Sequence, residues 1–225
     1  MIKIIFMKKV FVIRVLLLFL ICFSGNAFAQ SESSAKAILD KVSKTYATYK
    51  TIKADFSLLG TNKQDQSNYN EKGRVYLVPG TGKYKIEMDN QALISDGKTQ
   101  WSVLIDLGEV QISDVNPNDE SITPSNIFSF YKKGYKMTNR GETKISGITV
   151  YVIELIPVDQ NQNVSKILMR INKANNLIYN ANVVDKNGNE YTYTLTNIET
   201  NKTFSNGIFN FYKHNYPGIE IVDLR

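Results

Sequence analysis

The chain of 225 residues contains one cysteine and one histidine. So small a supply leaves almost no material for a zinc site or for a Ser-His or Cys-His relay. His214 stands between Lys213 and Asn215 with no acidic neighbour in sequence, and reads as a solvated loop histidine. Only one apolar run is long, and it lies at the extreme N-terminus. No linker-like stretch or internal repeat divides the remainder. Hydrophobic residues make up 43% and charged residues 21%, which excludes a collagen-like, disulfide-stapled or low-complexity chain.

The N-terminus accounts for much of the formal charge of +6. Lys3, Lys8, Lys9 and Arg14 precede the apolar run Val15 to Phe23, which is followed by Ser24-Gly25-Asn26 and Ala27-Phe28-Ala29. A basic segment, a short apolar segment and an A-x-A exit are the parts of a secretory signal peptide. About nine apolar residues are too few to cross a hydrocarbon core of about 30 Å as a helix. Cleavage is expected after Ala29, removing residues 1–29 and leaving 30–225 as one domain. Cys22 leaves with the signal. Because Ile21 precedes it and an A-x-A site follows, the secretory reading is preferred to a lipid-modified one. The mature chain then holds no cysteine, hence no disulfide, although its compartment would permit them. It has 23 basic and 21 acidic groups, a net +2, which removes the charge argument for nucleic acid. Abundant Lys and Asn with A-x-A export fit a bacterial periplasm.

Ala35, Ile38, Leu39, Val42, Tyr46 and Tyr49 recur at helical spacing, with Lys36, Asp40, Lys41, Lys44 and Lys50 on the other side. This predicts one amphipathic helix, with Ser33 or Ser34 as cap. From Ile52 the period changes to two. Ile52, Ala54, Phe56 and Leu58 alternate with polar residues. Val75 and Leu77 follow Gly73, and Tyr84, Ile86 and Met88 alternate with charged residues. Further strands are predicted over 91–95, 99–106, 109–115, 135–140, 147–156, 164–172, 177–184 and 190–199. Turn chemistry at Pro79-Gly80, Asp96-Gly97, Arg140-Gly141 and Asn175-Asn176 separates many of them. About eleven strands joined by short turns predict an antiparallel meander. One segment breaks the rhythm. Thr123-Pro124 opens a predicted helix over 124–133 that carries Ile127, Phe128, Phe130 and Tyr131 and ends at Gly134. It fits either a fixed cover for a sheet face or a movable lid.

Two near-motifs carry no chemistry. Gly80-Thr-Gly82-Lys83 lacks the upstream glycine and the hydroxyl residue of a phosphate loop. Asp114-x-Asn116-x-Asn118 begins like a calcium loop, but Pro117, the missing glycine and Ser125 at the closing position count against it. The acids mostly alternate with apolar strand residues or sit in turns. Glu154, within the apolar run 148–156, is expected at an edge or rim rather than as a catalytic acid.

The informative feature is a surplus of apolar surface. In 148–156, Val150, Val152 and Ile156 point one way while Tyr151, Ile153 and Leu155 point the other, so both faces are expected to need cover. The mature aromatics are 13 Tyr, 1 Trp and 6 Phe, a mixture suited to surfaces with apolar bodies and polar tips. A curved sheet around a hollow interior meets these requirements, and so does a filled barrel.

The residues also resemble a known family, that of the outer-membrane lipoprotein carriers (LolA-like), across nearly all of the mature chain. Leu39-Asp-Lys-Val-Ser43 on the first helix, Ser95-Asp-Gly-Lys-Thr-x-Trp101, Thr123-Pro124 and Phe209-x-Phe211…Pro217-Gly-Ile-Glu-Ile-Val-Asp223 follow the family pattern in order. The resemblance implies an incomplete, half-open antiparallel β-barrel whose concave face is covered by an N-terminal helix and a short lid helix. It implies a periplasmic carrier rather than an enzyme, without cofactor or metal. Its cargo would be the acyl chains of lipoproteins. An inner-membrane ABC-type lipoprotein-releasing complex would hand over that cargo and an outer-membrane acceptor would receive it, the carrier itself being a monomer. Well-studied members have an Arg before the Pro of the second strand, where it latches the lid; here that position is Val78. The segment between Val110 and Thr123 also departs from those members. The expected cavity wall is Leu39, Val42 and Tyr46 from the helix, Phe56, Ile86, Met88 and Trp101 from strands, and Ile127, Phe128 and Tyr131 from the lid. The same half-barrel serves periplasmic sensors that bind a regulator of envelope stress and carriers of other lipids. A lipid- or lipoprotein-sensing protein is therefore the competing reading.

Overall fold

The alternation that begins at Ile52 builds one twelve-stranded sheet. The computed structural model describes residues 26–116 and 126–225. Residues 1–25, read above as most of a signal peptide, and Thr123-Pro124, Asn118 and Ser125 lie outside the described residues. Helix α1 (Asn26–Ala47) precedes the strands β1 (Ile52–Thr61), β2 (Asn68–Val78), β3 (Lys83–Met88), β4 (Gln91–Asp96), β5 (Thr99–Leu104) and β6 (Glu109–Asp114). Then come β7 (Tyr135–Ile145), β8 (Ile148–Pro157), β9 (Val164–Asn172), β10 (Ile178–Asp185), β11 (Glu190–Thr200) and β12 (Glu220–Asp223).

The spatial order is β12-β6-β5-β4-β3-β2-β1-β11-β10-β9-β8-β7. Two meanders, β1–β6 and β7–β11, are therefore stitched together by one long-range antiparallel pair, β1 with β11, which runs from Ile52↔Thr200 to Thr61↔Glu190. A register shift between Lys53 and Asp55 marks a bulge, which bends and twists a strand locally. All pairs are antiparallel except β12 on β6. β7 and β12 end the sheet without meeting, so among the described strands the barrel is incomplete.

Each face has its own cluster, as strand alternation requires. On the concave face Ala35, Leu39, Val42 and Tyr46 of α1 bury themselves with Ile153 and Leu155 of β8 and Ile167, Met169 and Ile171 of β9. On the convex face the chain after β11 brings Phe211, Tyr216 and Ile219 against Ala92, Ile94, Trp101, Val103 and Val110. Leu93 belongs to the first cluster and its neighbours Ala92 and Ile94 to the second.

Several expectations change. The described residues form twelve strands rather than about eleven, because Glu220–Asp223 adds itself parallel to β6. β2 starts at Asn68, earlier than alternation suggested, since its polar first half is held by pairing with the far end of β1. Ser33 and Ser34 do not cap α1 but lie inside it. Ser34 Oγ donates to the Ser31 carbonyl and accepts from Asn139 Nδ2, while Ser31 Oγ donates to the Asn139 carbonyl, so Ser31 and Ser34 fasten α1 to β7. The helix predicted over 124–133 is, in its described part, a turn at 126–129 followed by a 3₁₀ turn at Phe130–Lys132. The Asn126 carbonyl accepts from Ser129 and Phe130, then that of Ser129 from Lys132. Asn and Ser are weak helix formers, and so short a segment cannot offset the cost of helix nucleation. The outer face of β8 is not covered throughout: Val150 is buried, Ile156 is 43% exposed, and Glu154 makes an ion pair with Arg140 of the edge strand β7.

The hairpin motif at Ser95–Trp101 now has a physical reason. Gly97 has φ +94°, and a Cβ there would stand 2.6 Å from the Thr81 carbonyl oxygen. Ser95, fully buried, accepts from the Gly97 N–H and donates to the Gly82 carbonyl. The Asp96 carboxylate accepts from the N–H groups of Lys98 and Thr99. Gly97→Ala is therefore expected to destabilise the fold by about 1–3 kcal/mol. Gly141, at φ +96° with open space around it, pays only the conformational term, about 1 kcal/mol. Urea denaturation of both variants checks the ranking; equal losses would remove the role assigned to the Gly97–Thr81 approach.

Candidate functional site

Alternation sends Ile52, Ala54, Phe56 and Leu58 of β1 to the concave face, with Val75 and Leu77 of β2 and Ile86 and Met88 of β3 beside them. The β1–β11 pairing brings Ile167 and Met169 of β9, Ile178, Ala181 and Val183 of β10 and Tyr193, Leu195 and Ile198 of β11 to the other side. Together with Tyr46 of α1 and Ile127, Phe128 and Phe130 of the 126–133 segment, they enclose a cavity of about 540 Å³. That volume is in the range of small-molecule sites. Apart from the tyrosines, Glu71 and Gln91 are the polar residues of the lining, and the Gln91 amide already faces Met88 Sδ at 3.6 Å.

The 126–133 segment is held over the cavity from α1. Phe128 stacks on Tyr46 with ring centroids 3.6 Å apart and planes 9° from parallel. The Tyr46 hydroxyl accepts from the Ile178 N–H at 3.1 Å, tying the same ring to β10. Ser43 Oγ lies 3.0 Å from the Phe128 carbonyl and 2.7 Å from the Tyr131 hydroxyl. That hydroxyl also reaches the carbonyls of Phe128 and Leu39, at 2.8 and 3.1 Å. Burial pushes the Tyr131 phenol up to about 12, against the pull of the Ser43 hydrogen bond, and raises Tyr46 further. Both are neutral at any ordinary pH, so this end of the cavity carries no charge. Val78, at the position where family members latch the lid, closes β2 instead. Its carbonyl accepts from the N–H and hydroxyl of Thr81 in the following turn.

Of the ten residues expected from sequence to form the wall, Tyr46, Phe56, Ile86, Met88, Ile127 and Phe128 line the cavity. Leu39, Val42 and Tyr131 do not; they are buried in the packed layer between α1, the cover and the sheet. Trp101 lies on the opposite face, because it pairs with Ile94, whose side chain belongs to the convex cluster. Sequence reading missed the wall from β9, β10 and β11. Its alternation is visible in the sequence, but the face that turns inward is decided by the β1–β11 pairing.

His214 is exposed in a 3₁₀ turn beside the Tyr212 ring. Among the described residues no three His, Cys, Asp or Glu side chains group to hold a metal, and no helix is long and apolar enough to cross a membrane.

Among solved structures, an uncharacterized conserved protein from Thermus thermophilus superposes with a TM-score of 0.59 at 15% identity, covering 84% of this chain and 99% of that one. A putative outer membrane lipoprotein-sorting protein domain from Vibrio parahaemolyticus gives 0.42 at 15% identity, over 78% and 97%. The Mycobacterium tuberculosis lipoprotein LppX gives 0.45 at 12%, over 78% and 99%. Comparison with curated proteins finds no match. The family model described as outer membrane lipoprotein carrier protein LolA matches residues 47–212. That span runs from the last residue of α1 through β11 and takes in every strand that walls the cavity. The chain belongs to the outer membrane lipoprotein carrier protein LolA family.

Proposed function

We propose that the concave cavity receives the acyl chains of a lipoprotein and that the protein, exported by cleavage after Ala29, carries them across the periplasm to the outer membrane. An inner-membrane ABC-type releasing complex is the donor in this reading, and an outer-membrane acceptor the recipient. Family membership supports a lipoprotein- or lipid-binding role outside the cytoplasmic membrane. The observation that carries the finer reading is an apolar hollow of about 540 Å³ under a separately held cover.

The energetics make a carrier necessary. Burying a CH₂ is worth about 0.8 kcal/mol, so a chain of about 15 methylenes represents on the order of 12 kcal/mol, and unshielded diffusion through water is prohibited. From Ile52 to Leu58 the wall runs along β1 for about 20 Å at strand rise. One leaflet of a bilayer core is about 15 Å deep, so a chain of membrane length fits along that path. The walls are Ile, Leu, Val, Met and aromatic side chains, which adapt to a mobile hydrocarbon.

Release requires that the hollow open. The cover is joined to α1 by the Ser43–Tyr131–Phe128 hydrogen bonds and the Tyr46–Phe128 stack. Neutral hydrogen bonds contribute about 1 kcal/mol each and an aromatic pair about 0.5–1.5 kcal/mol. Burial of Tyr131 adds about 2 kcal/mol, and the sum stays below what one acyl chain gains, so an entering chain can displace the 126–133 segment outward.

Mass spectrometry of the protein purified from the periplasm tests the reading. Acylated lipoproteins are expected to co-purify, and recovery of free lipids alone, or of a signalling protein alone, would reject the carrier. Ile127→Asp and Phe128→Asp are expected to abolish acyl binding while leaving the β circular dichroism unchanged, since an unpaired carboxylate would face hydrocarbon at a cost of several kcal/mol. Undiminished lipoprotein capture by both would place the chains elsewhere. The double variant Ser43→Ala, Tyr131→Phe is expected to speed entry of a fluorescent fatty-acyl probe several-fold. Stopped-flow rates equal to those of the parent would detach this segment from gating.

A further inference from the structure

One end of the cavity differs from the other. Leu58 of β1 pairs with Glu71 of β2 on one side and with Tyr193 of β11 on the other, so the three side chains form one cross-strand row on the concave face. The next row but one outward is Tyr69, Gly60 and Tyr191. Gly60 leaves the space that Tyr69 fills: a Cβ there would stand 2.2 Å from the Tyr69 ring. Tyr69 and Tyr193 are 43% and 42% exposed, and thus form a rim rather than a core. Both phenols are raised, chiefly by partial loss of hydration and then by Tyr191 and Glu71, with Tyr69 adding to the shift of Tyr193. They stay neutral. Glu71 is half-buried, makes no hydrogen bond or ion pair among the described residues, and is the one carboxylate in the lining. Arg74 is engaged on the convex face with Asp55, and Lys85 with Glu87.

We propose that this Glu71 and tyrosine rim selects cargo bearing a primary ammonium next to the acyl chains. The inference rests on the reading of the cavity as an acyl site. A solitary carboxylate at the open end of an apolar hollow repels an anionic headgroup and attracts a cationic one, and the Tyr69 and Tyr193 faces add cation–π attraction. A primary ammonium lies within a headgroup's length of the acyl chains in two kinds of molecule. One is a diacylated lipoprotein whose N-terminal cysteine keeps a free α-amine beside the diacylglyceryl thioether; the other is an aminophospholipid, whose ammonium lies beyond the phosphate. The chains would then lie with their tails toward Tyr46 and Phe128 and their polar junction at Glu71.

The test uses the purified protein and four probes with matched chains. Two are a synthetic diacyl-glyceryl-cysteine peptide with a free α-amine and its N-acetylated form; two are phosphatidylethanolamine and phosphatidylglycerol. Displacement of a fluorescent fatty acid reads the affinities. The free-amine member of a pair is expected to bind about tenfold tighter, the scale of one charge-assisted contact. Glu71→Gln is expected to erase that preference. Preference in the peptide pair assigns the amine to a lipoprotein, and preference in the phospholipid pair alone assigns it to a lipid headgroup. Equal binding within both pairs, or a preference that survives Glu71→Gln, overturns the proposal and leaves the acyl site standing. Failure of all four probes to bind overturns the acyl site itself.

Discussion

The structure depends on a mismatch between the apolar face the sheet creates and the cover available for it. Twelve strands at about 4.8 Å spacing make a surface on the order of 53 Å wide along the curve. Against it stands, among the described residues, one α-helix of 22 residues, about 33 Å long and 10 Å across. α1 lies over the β7–β9 side, where Leu39 and Val42 are buried with Ile153, Leu155 and Ile167. The β1–β3 side of the same face is equally apolar and has only the 126–133 segment above it among the described residues. Bending the sheet inward removes part of this surface from water, and what the bend cannot close remains as the hollow. The hollow is thus a consequence of the ratio of strands to helices. In the sequence it is written as a succession of long alternating runs with, among the described residues, no second helix long enough to fill the space they enclose.

That arrangement sets how firmly the cover is held. A fully interdigitated core would bind the 126–133 segment through many apolar contacts, and opening would then cost as much as local unfolding. Here Tyr131 is the one fully buried side chain of the segment, Phe128 and Phe130 pack beside it partly exposed, and the rest of the hold lies in polar groups of α1, Ser43 above all, and in the Tyr46–Phe128 stack. Such contacts are directional and individually weak. They fix where the segment sits without making its departure expensive. Tyr46 joins the two functions, since its hydroxyl is tied to β10 and its ring faces both Phe128 and the cavity. With Val78 in place of the family's Arg, none of these contacts carries a charge, so the hold is expected to respond little to salt.

Much of this is legible in the amino-acid sequence. The change of period at Ile52 is a local signal, and so are the turn residues, which is why most strand positions follow from the sequence to within a few residues. Phe56, Ile86 and Met88 are legible as one face because neighbouring hairpins carry their register with them. Trp101 is not. Its place on the convex side depends on its pairing with Ile94 and on the chain after β11 returning to cover that side, a contact between residues far apart in sequence. The inner wall from β9 to β11 is hidden for the same reason, since only the β1–β11 pair fixes which face of that meander turns inward. The 126–133 segment shows the reverse error. Apolar residues at helical spacing are present, but Asn126 and Ser129 favour a tight turn, and the segment's side chains are held by the helix below it.

Polarity along the cavity completes the account of what such a site can distinguish. At the Tyr46 end the phenol is buried and bonded, and its ionisation is pushed beyond reach. At the Leu58 end the Glu71 carboxylate stands among half-exposed phenols. A uniformly apolar tube would accept a chain in either direction and would rank ligands by length alone, because hydrophobic burial is non-directional. A tube with one polar end imposes an orientation: hydrocarbon gains nothing from displacing water around Glu71, whereas a headgroup loses its hydration if driven toward Phe128. The headgroup is thereby kept at the rim, where water and an acceptor protein can reach it, while the part that must be shielded points inward. Shielding and hand-over, which would oppose one another in a closed cavity, are separated here along the stretch of β1 from Ile52 to Leu58.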